Sequence, residues 1–171
     1  MKNIKRSAEI IILVLIIMNN IGCTYSFYMS TYPYLETIYI NDFDNKSEQY
    51  DIDIEVNESL IYYFNKDKRL RIVSKEPDCT IEGSIESYRK NIKTINAEDG
   101  IECYEVKIVF SIDFYDNINN EIIWSNSDIL MKEEYYPGTD DPVKKSNEEE
   151  ARKEIYKNLF DKIIENTLEK W

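Results

Sequence analysis

The chain contains no histidine. That removes the commonest general base near neutral pH and the commonest metal ligand. Four glycines are too few for a phosphate cradle, and neither a P-loop nor a Gly-x-Gly-x-x-Gly run occurs. The three cysteines form no Cys-x-x-Cys pair. These absences argue against an enzyme and leave no metal site and no cofactor to expect. Basic residues are also short, 21 against 33 acidic, for a net charge of −12. A field of that sign repels nucleic acid and, in general, anionic headgroups, so any basic contact must be local. Carboxylates cluster at Asp51, Asp53 and Glu55, but a calcium loop there lacks its central glycine and its spaced final Glu. Solvated acids at a helix start account for them better.

The longest apolar run, Ile10 to Met18, has nine residues. A bilayer span needs about 20. Lys2, Lys5 and Arg6 precede the run, and Asn19-Asn20-Ile21-Gly22-Cys23 follows it. This is the pattern of a secretory signal with a lipoprotein-type cleavage site, although Asn20 stands where Leu or Val is usual. Cleavage before Cys23 frees a thiol for diacylglycerol beside an acylated amine, and two or three chains make a stable anchor. Thr24, not Asp, follows the cysteine. By the common retention rule the lipid-anchored protein then goes to the outer membrane, on its periplasmic side. Residues 1–22 are therefore read as signal, 23–34 as a lipidated tether rich in Tyr, and 35–171 as one domain. About 150 residues remain, one domain's length with room for a single core.

Leu35 to Phe43 reads as a first strand, closed by Asp44-Asn45-Lys46-Ser47. Asp51 to Asp67 places Ile52, Val56, Leu60, Tyr63 and Phe64 at helical spacing, with Asp51 as its cap. Leu70 to Val73 starts a second strand, Pro77 interrupts it, and Cys79 to about Lys90 resumes it. Asn96 to Gly100 is a turn. From Glu102 to Asp116 the chain alternates, with Tyr104, Val106, Ile108, Phe110, Ile112 and Phe114 on one face. A second turn at Asn117 to Asn120 leads to a fourth strand, Glu121 to about Tyr136. A simple hairpin there sets Phe114 against Ile123, Ile108 against Ile129 and Val106 against Met131. After a loop, Ser146 to Trp171 is a helix with Ser146 and Glu149 as a capping box and a stripe from Ala151 through Leu159 to Trp171. The order β-α-β-β-β-α predicts an α+β two-layer sandwich, two helices on one face of a four-stranded mixed sheet.

Cys79 and Cys103 fall on opposite strand faces in this reading, which forbids a bond between them. The uncovered face is expected to show Cys103, Glu105, Lys107, Ser111, Asp113 and Tyr115, with Ile122, Trp124 and Asp128. Trp124 is its candidate interface anchor. Basic residues group at Lys66, Lys68, Arg69, Arg71 and Lys75, and again at Arg89, Lys90 and Lys93. Both groups are candidate anion contacts, with charge balance against nearby acids as the plainer reading.

Several segments carry a resemblance in their order and spacing. They are Cys23-Thr-Tyr-Ser-Phe27, Thr37 to Asn45, Leu70 to Val73, Asp78 to Gly83, Tyr104 to Tyr115 and Ile123-Trp124, closed by the long last helix. Together they resemble the LptE family of lipopolysaccharide-assembly lipoproteins. The resemblance implies a non-catalytic outer-membrane lipoprotein that plugs an LptD-type β-barrel. Such a protein helps the barrel assemble and supports lipopolysaccharide insertion into the outer leaflet. It implies lipopolysaccharide contact through basic side chains, for which Arg89, Lys90 and Lys93 are the candidates. The competing reading is another extracytoplasmic lipoprotein adapter, such as a peptidoglycan-synthase activator or a secretion-pore component.

Overall fold

The computed structural model describes residues 31–96 and 100–169. The signal, Cys23, most of the tether and Trp171 lie outside the described residues. Six strands and two helices follow in the order β1 (Thr37–Ile40), β2 (Asp44–Asn45), α1 (Ile52–Asp67), β3 (Arg71–Ile72), β4 (Cys79–Asn96), β5 (Gly100–Asp116), β6 (Glu121–Tyr135) and α2 (Glu148–Thr167). The sheet order is β3-β1-β4-β5-β6, with β2 also on β4. Pairings of β4 with β1 and β2, and of β1 with β3, are parallel; β4-β5-β6 is an antiparallel meander. The architecture is the expected α+β fold. Its sheet has six strands, not four, because both parallel strands are broken.

The breaks have local causes. Pro77 has no N–H to give a ladder. Beside it, the Asp78 carboxylate accepts the Glu36 and Thr37 amides at 2.9 and 2.8 Å. The chain therefore crosses the start of β1, and the expected second strand becomes β3 on one side of β1 and β4 on the other. In the first strand, Phe43 turns its ring onto β4 at Gly83. A Cβ at Gly83 would meet that ring at 2.4 Å, so only glycine admits it. Past Phe43 the chain regains β4 as β2.

One face of the sheet and both helices build a single core. Val106, Ile108, Phe110, Ile112 and Phe114 of β5 meet Ile52, Val56, Leu60 and Phe64 of α1 and Ile155, Leu159 and Ile163 of α2. Each fully buried Ile, Leu or Phe side chain contributes about 1.5–3 kcal/mol. The alternate residues of β5 face the uncovered side.

Two helix starts differ from expectation. Asp51 sits at the α1 N-cap in a left-handed conformation, φ 60°, and its side chain makes no cap bond. For α2 the cap lies one residue later. Asn147 accepts the Glu150 amide at 2.9 Å, and Glu150 reaches back to the Ser146 amide at 2.8 Å. The reciprocal logic of the capping box holds at a shifted position.

The β5–β6 register also shifts. It starts as the turn dictates, Asp116 opposite Glu121, and then takes two bulges, each placing an extra residue on β6. Phe114 therefore faces Trp124, not Ile123; Ile108 faces Met131; Phe110 faces Ile129; and Val106 faces Glu133. Bulges of this kind re-aim side chains without ending the pairing.

Candidate functional site

The basic trio on β4 does not act as a unit. Lys90 lies on the helix side and pairs with Glu148 of α2 at 2.8 Å. Lys93 sits at a bulge and pairs with Glu134. Arg89, opposite Lys107 on the uncovered face, is exposed and forms no ion pair among the described residues. Of the three, Arg89 alone keeps its charge without a salt bridge.

Trp124 is not on the uncovered face. The first bulge turns it beside Phe114, where it is half-buried against the core. Simple alternation missed this because one extra residue reverses the side for every residue up to the next bulge. The uncovered face shows Tyr39, Val109, Tyr115, Ile122 and Leu130 among charged side chains. Many of those charges are already paired: Lys46 with Glu86 at 2.6 Å, Lys107 with Glu105 at 2.7 Å, and Lys93 with Glu134.

The cysteines lie far apart. Cys79 is level with Asp116, whereas Cys103 is paired with Thr94 at the other end of the same ladder. The separation is roughly 40 Å at strand rise. Both thiols are free and buried. Burial pushes the Cys79 thiol up to about 12. Distance along the strand excludes a bond more firmly than strand parity does.

A polar strap joins the helices to β4. Arg152 of α2 forks onto Glu55 of α1, Nε to Oε2 at 2.8 Å and Nη2 to Oε1 at 3.1 Å, and reaches Glu148 at 3.2 Å. The Tyr156 hydroxyl donates to Glu55 at 3.0 Å, and the Tyr88 hydroxyl donates to Glu148. Burial opposes the Glu148 charge, but the hydrogen bonds from Lys90 and Tyr88 hold its pKa below the ordinary value. Paired bonds of this geometry fix orientation as well as energy. The helical pattern alone hides this strap, since its partners are about 60 to 100 residues apart in the chain.

A second polar knot closes the end of the domain where the described chain begins. The Thr31 amide donates to the Leu168 carbonyl at the end of α2, 3.0 Å away. The Tyr34 hydroxyl donates to Asp116, a carboxylate only 1% exposed, which also accepts the Ile118 and Asn119 amides at 2.8 and 2.9 Å. The Asp116 carboxylate pushes the Tyr34 hydroxyl up to about 12. Burial works against the Asp116 charge, yet the bonds from Tyr34 and the turn keep its pKa low. Residues 31–34, read from sequence as tether, are thus packed on the domain.

No group of three or more Cys, Asp or Glu side chains among the described residues is arranged to hold a metal ion. No described helix is long and apolar enough to cross a membrane.

None of the curated proteins compared matches the chain. Among solved structures, the fold is similar to the hypothetical protein CT253 from Chlamydia trachomatis, at 10% identity and TM-score 0.49 over 76% of this chain and 94% of that one. It is also similar to uncharacterized lipoprotein B from Nitrosomonas europaea, at 17% identity and TM-score 0.48 over 76% and 80%. A third is the PelC dodecamer from Paraburkholderia phytofirmans, at 14% identity and TM-score 0.47 over 78% and 89%. The family model for LptE, lipopolysaccharide-assembly, matches residues 35–167, from two residues before β1 to the end of α2. The chain belongs to the LptE lipopolysaccharide-assembly family.

Proposed function

We propose that this protein is anchored through acylated Cys23 on the periplasmic side of the outer membrane. There it seats inside an LptD-type β-barrel, helps that barrel assemble and supports lipopolysaccharide insertion into the outer leaflet. The single observation that carries this reading is the family match over residues 35–167. The uncovered sheet face supports it. A face studded with ion pairs suits contact across water better than a dry interface, and a barrel lumen is polar. Arg89 is the side chain on that face best placed to meet a lipopolysaccharide phosphate, because Lys90 and Lys93 are already neutralised by Glu148 and Glu134.

Depletion of the protein tests the reading. The expected result is less correctly assembled barrel and cells leaky to large hydrophobic antibiotics, with the barrel co-purifying with the tagged protein. Unchanged barrel levels and an intact permeability barrier would favour the adapter reading. For the anchor, metabolic labelling with an alkyne fatty acid is expected to mark the wild-type chain and not Cys23→Ser. Label retained by the variant removes Cys23 as the anchor.

A further inference from the structure

We infer that the tether folds back along the helices, so that Phe27 and Tyr28 seat their rings in a groove between α1 and α2 lined by Tyr62, Tyr63 and Phe160. The inference goes beyond the proposed function. Only its effect on the length of the leash rests on the lipid at Cys23.

Three observations converge on it. The first is the groove itself. It encloses about 460 Å³ where the two helices meet, within the range of about 300–1,000 Å³ in which proteins hold small organic groups. Tyr63 lies on Phe160 with ring centroids 5.6 Å apart, and Tyr62 meets Tyr63 edge to face at 5.2 Å. Phe64 backs Phe160 from the core side, while Tyr62 is 59% exposed. A further ring packed on such a floor gains stacking and edge contacts beyond the area it buries.

The second is position. The Thr31 amide donates to the Leu168 carbonyl, which fixes where the tether leaves the domain. Arg69 joins that point to the groove. It binds Glu169, the neighbour of Leu168, and also Asp67, which lines the groove. Phe160 lies about two helical turns before Leu168, a distance of about 12 Å along α2. Tyr28 and Phe27 stand three and four residue steps before Thr31, a reach of about 11 and about 14 Å. The groove therefore lies within the span of these two residues.

The third is chemistry. Residues 24–30, Thr-Tyr-Ser-Phe-Tyr-Met-Ser, carry three rings and no charge. They cover the groove without burying a charge of their own, and Lys157 stays paired with Asp161 at its rim. Lys66, exposed at the same rim, offers a cation to the face of an incoming ring. A second copy of the chain is a poorer occupant, because each copy brings a net charge of −12 to the contact. Docking at Phe27 takes up four of the eight residue steps between Thr31 and Cys23. The free leash between anchor and domain falls from about 28 to about 14 Å.

The test places the photo-crosslinker p-benzoylphenylalanine at Phe27 of the full-length protein in isolated membranes and maps the linked peptides by mass spectrometry. The expected result is an internal link to residues 62–66 or 157–161. Its yield should fall several-fold in each of the variants Tyr62→Asp and Tyr62→Ser, whose folds are checked by circular dichroism. Links from residue 27 to lipid, to another protein, to a second copy or elsewhere in this chain, in place of the expected one, overturn the inference. So does the expected link if both Tyr62 variants leave it unchanged. The expected link in protein that takes up no alkyne fatty acid supports the docking and removes the anchor, and with it the shortened leash.

Discussion

Under the helices, β4 buries Ile81 and Ile85 completely, and β5 does the same with Ile108, Phe110, Ile112 and Phe114. Beyond the helices the same two strands keep pairing as far as Asn96 and Gly100, but Ile92 is 50% and Ile95 67% exposed. There the ladder is held by Tyr104 stacked on Tyr135, ring centroids 5.1 Å apart, and by Lys93 with Glu134. Both regions have the alternation of a strand with one apolar side. Only one of them has a second layer to press against. Alternation therefore marks which side of a strand is apolar, while the length of the helices decides how many rungs that side can bury.

The largest effect should separate these regions. Phe110→Ala is expected to cost about 3–5 kcal/mol, as for a fully buried aromatic, and Ile95→Ala to stay within about 0.5 kcal/mol. Urea midpoints measure both, and equal losses would erase the distinction. Next, Gly83→Val should cost about 1–3 kcal/mol by driving its side chain into the Phe43 ring, an overpacking penalty confined to the covered region.

The strap comes third. Arg152→Met removes the cation between Glu55 and Glu148, leaving Glu55 without an ion pair among the described residues and Glu148 with Lys90 alone. The Glu55 side chain is 39% exposed, so water screens part of the loss, and an effect on the order of 1–2 kcal/mol is expected by chemical denaturation.

The smallest effect concerns pH. Asp116 and Glu148 have depressed pKa values in the folded state. Their stabilisation is present above the unfolded carboxylate range of about 4 and is lost as pH falls through the lower folded values. Tyr34 behaves oppositely. Raised to about 12, its contribution is present below the ordinary tyrosine value and is lost as pH rises through the folded one. Tyr34→Phe should shrink the alkaline arm of a thermal stability profile, to which Tyr88 and Tyr156, also raised, still contribute, and leave the acid arm of Glu148.

Both helices, the β4-β5-β6 meander and the turn at Asn117 are legible in the sequence, while most of the turn expected from Asn96 to Gly100 lies outside the described residues. Each rests on local periodicity or turn chemistry. What was not legible depends on a partner distant in the chain. The splitting of the second strand needs Asp78 to find the amides of β1. The bulges that turn Trp124 inward leave no mark on the turn at Asn117, which sets the expected hairpin register. The site residues show the same division. Arg89, Lys90 and Lys93 are adjacent in sequence and look like one group, yet Glu148 and Glu134 draw two of them into ion pairs. The cations from Lys66 to Lys75 were visible as a cluster, but only the fold shows that they share an end with the chain's point of entry.

The broken ladder of β6 bears on how copies of the protein treat one another. Among the described residues β6 has no neighbour on its outer side. An open strand of 15 residues is ordinarily an invitation to another chain. Here the two irregularities interrupt the edge and twist it locally, so a second β6 cannot follow it rung for rung over its whole length. The same extra residues that turn Trp124 inward thus break up the long open edge that strand-to-strand pairing would need.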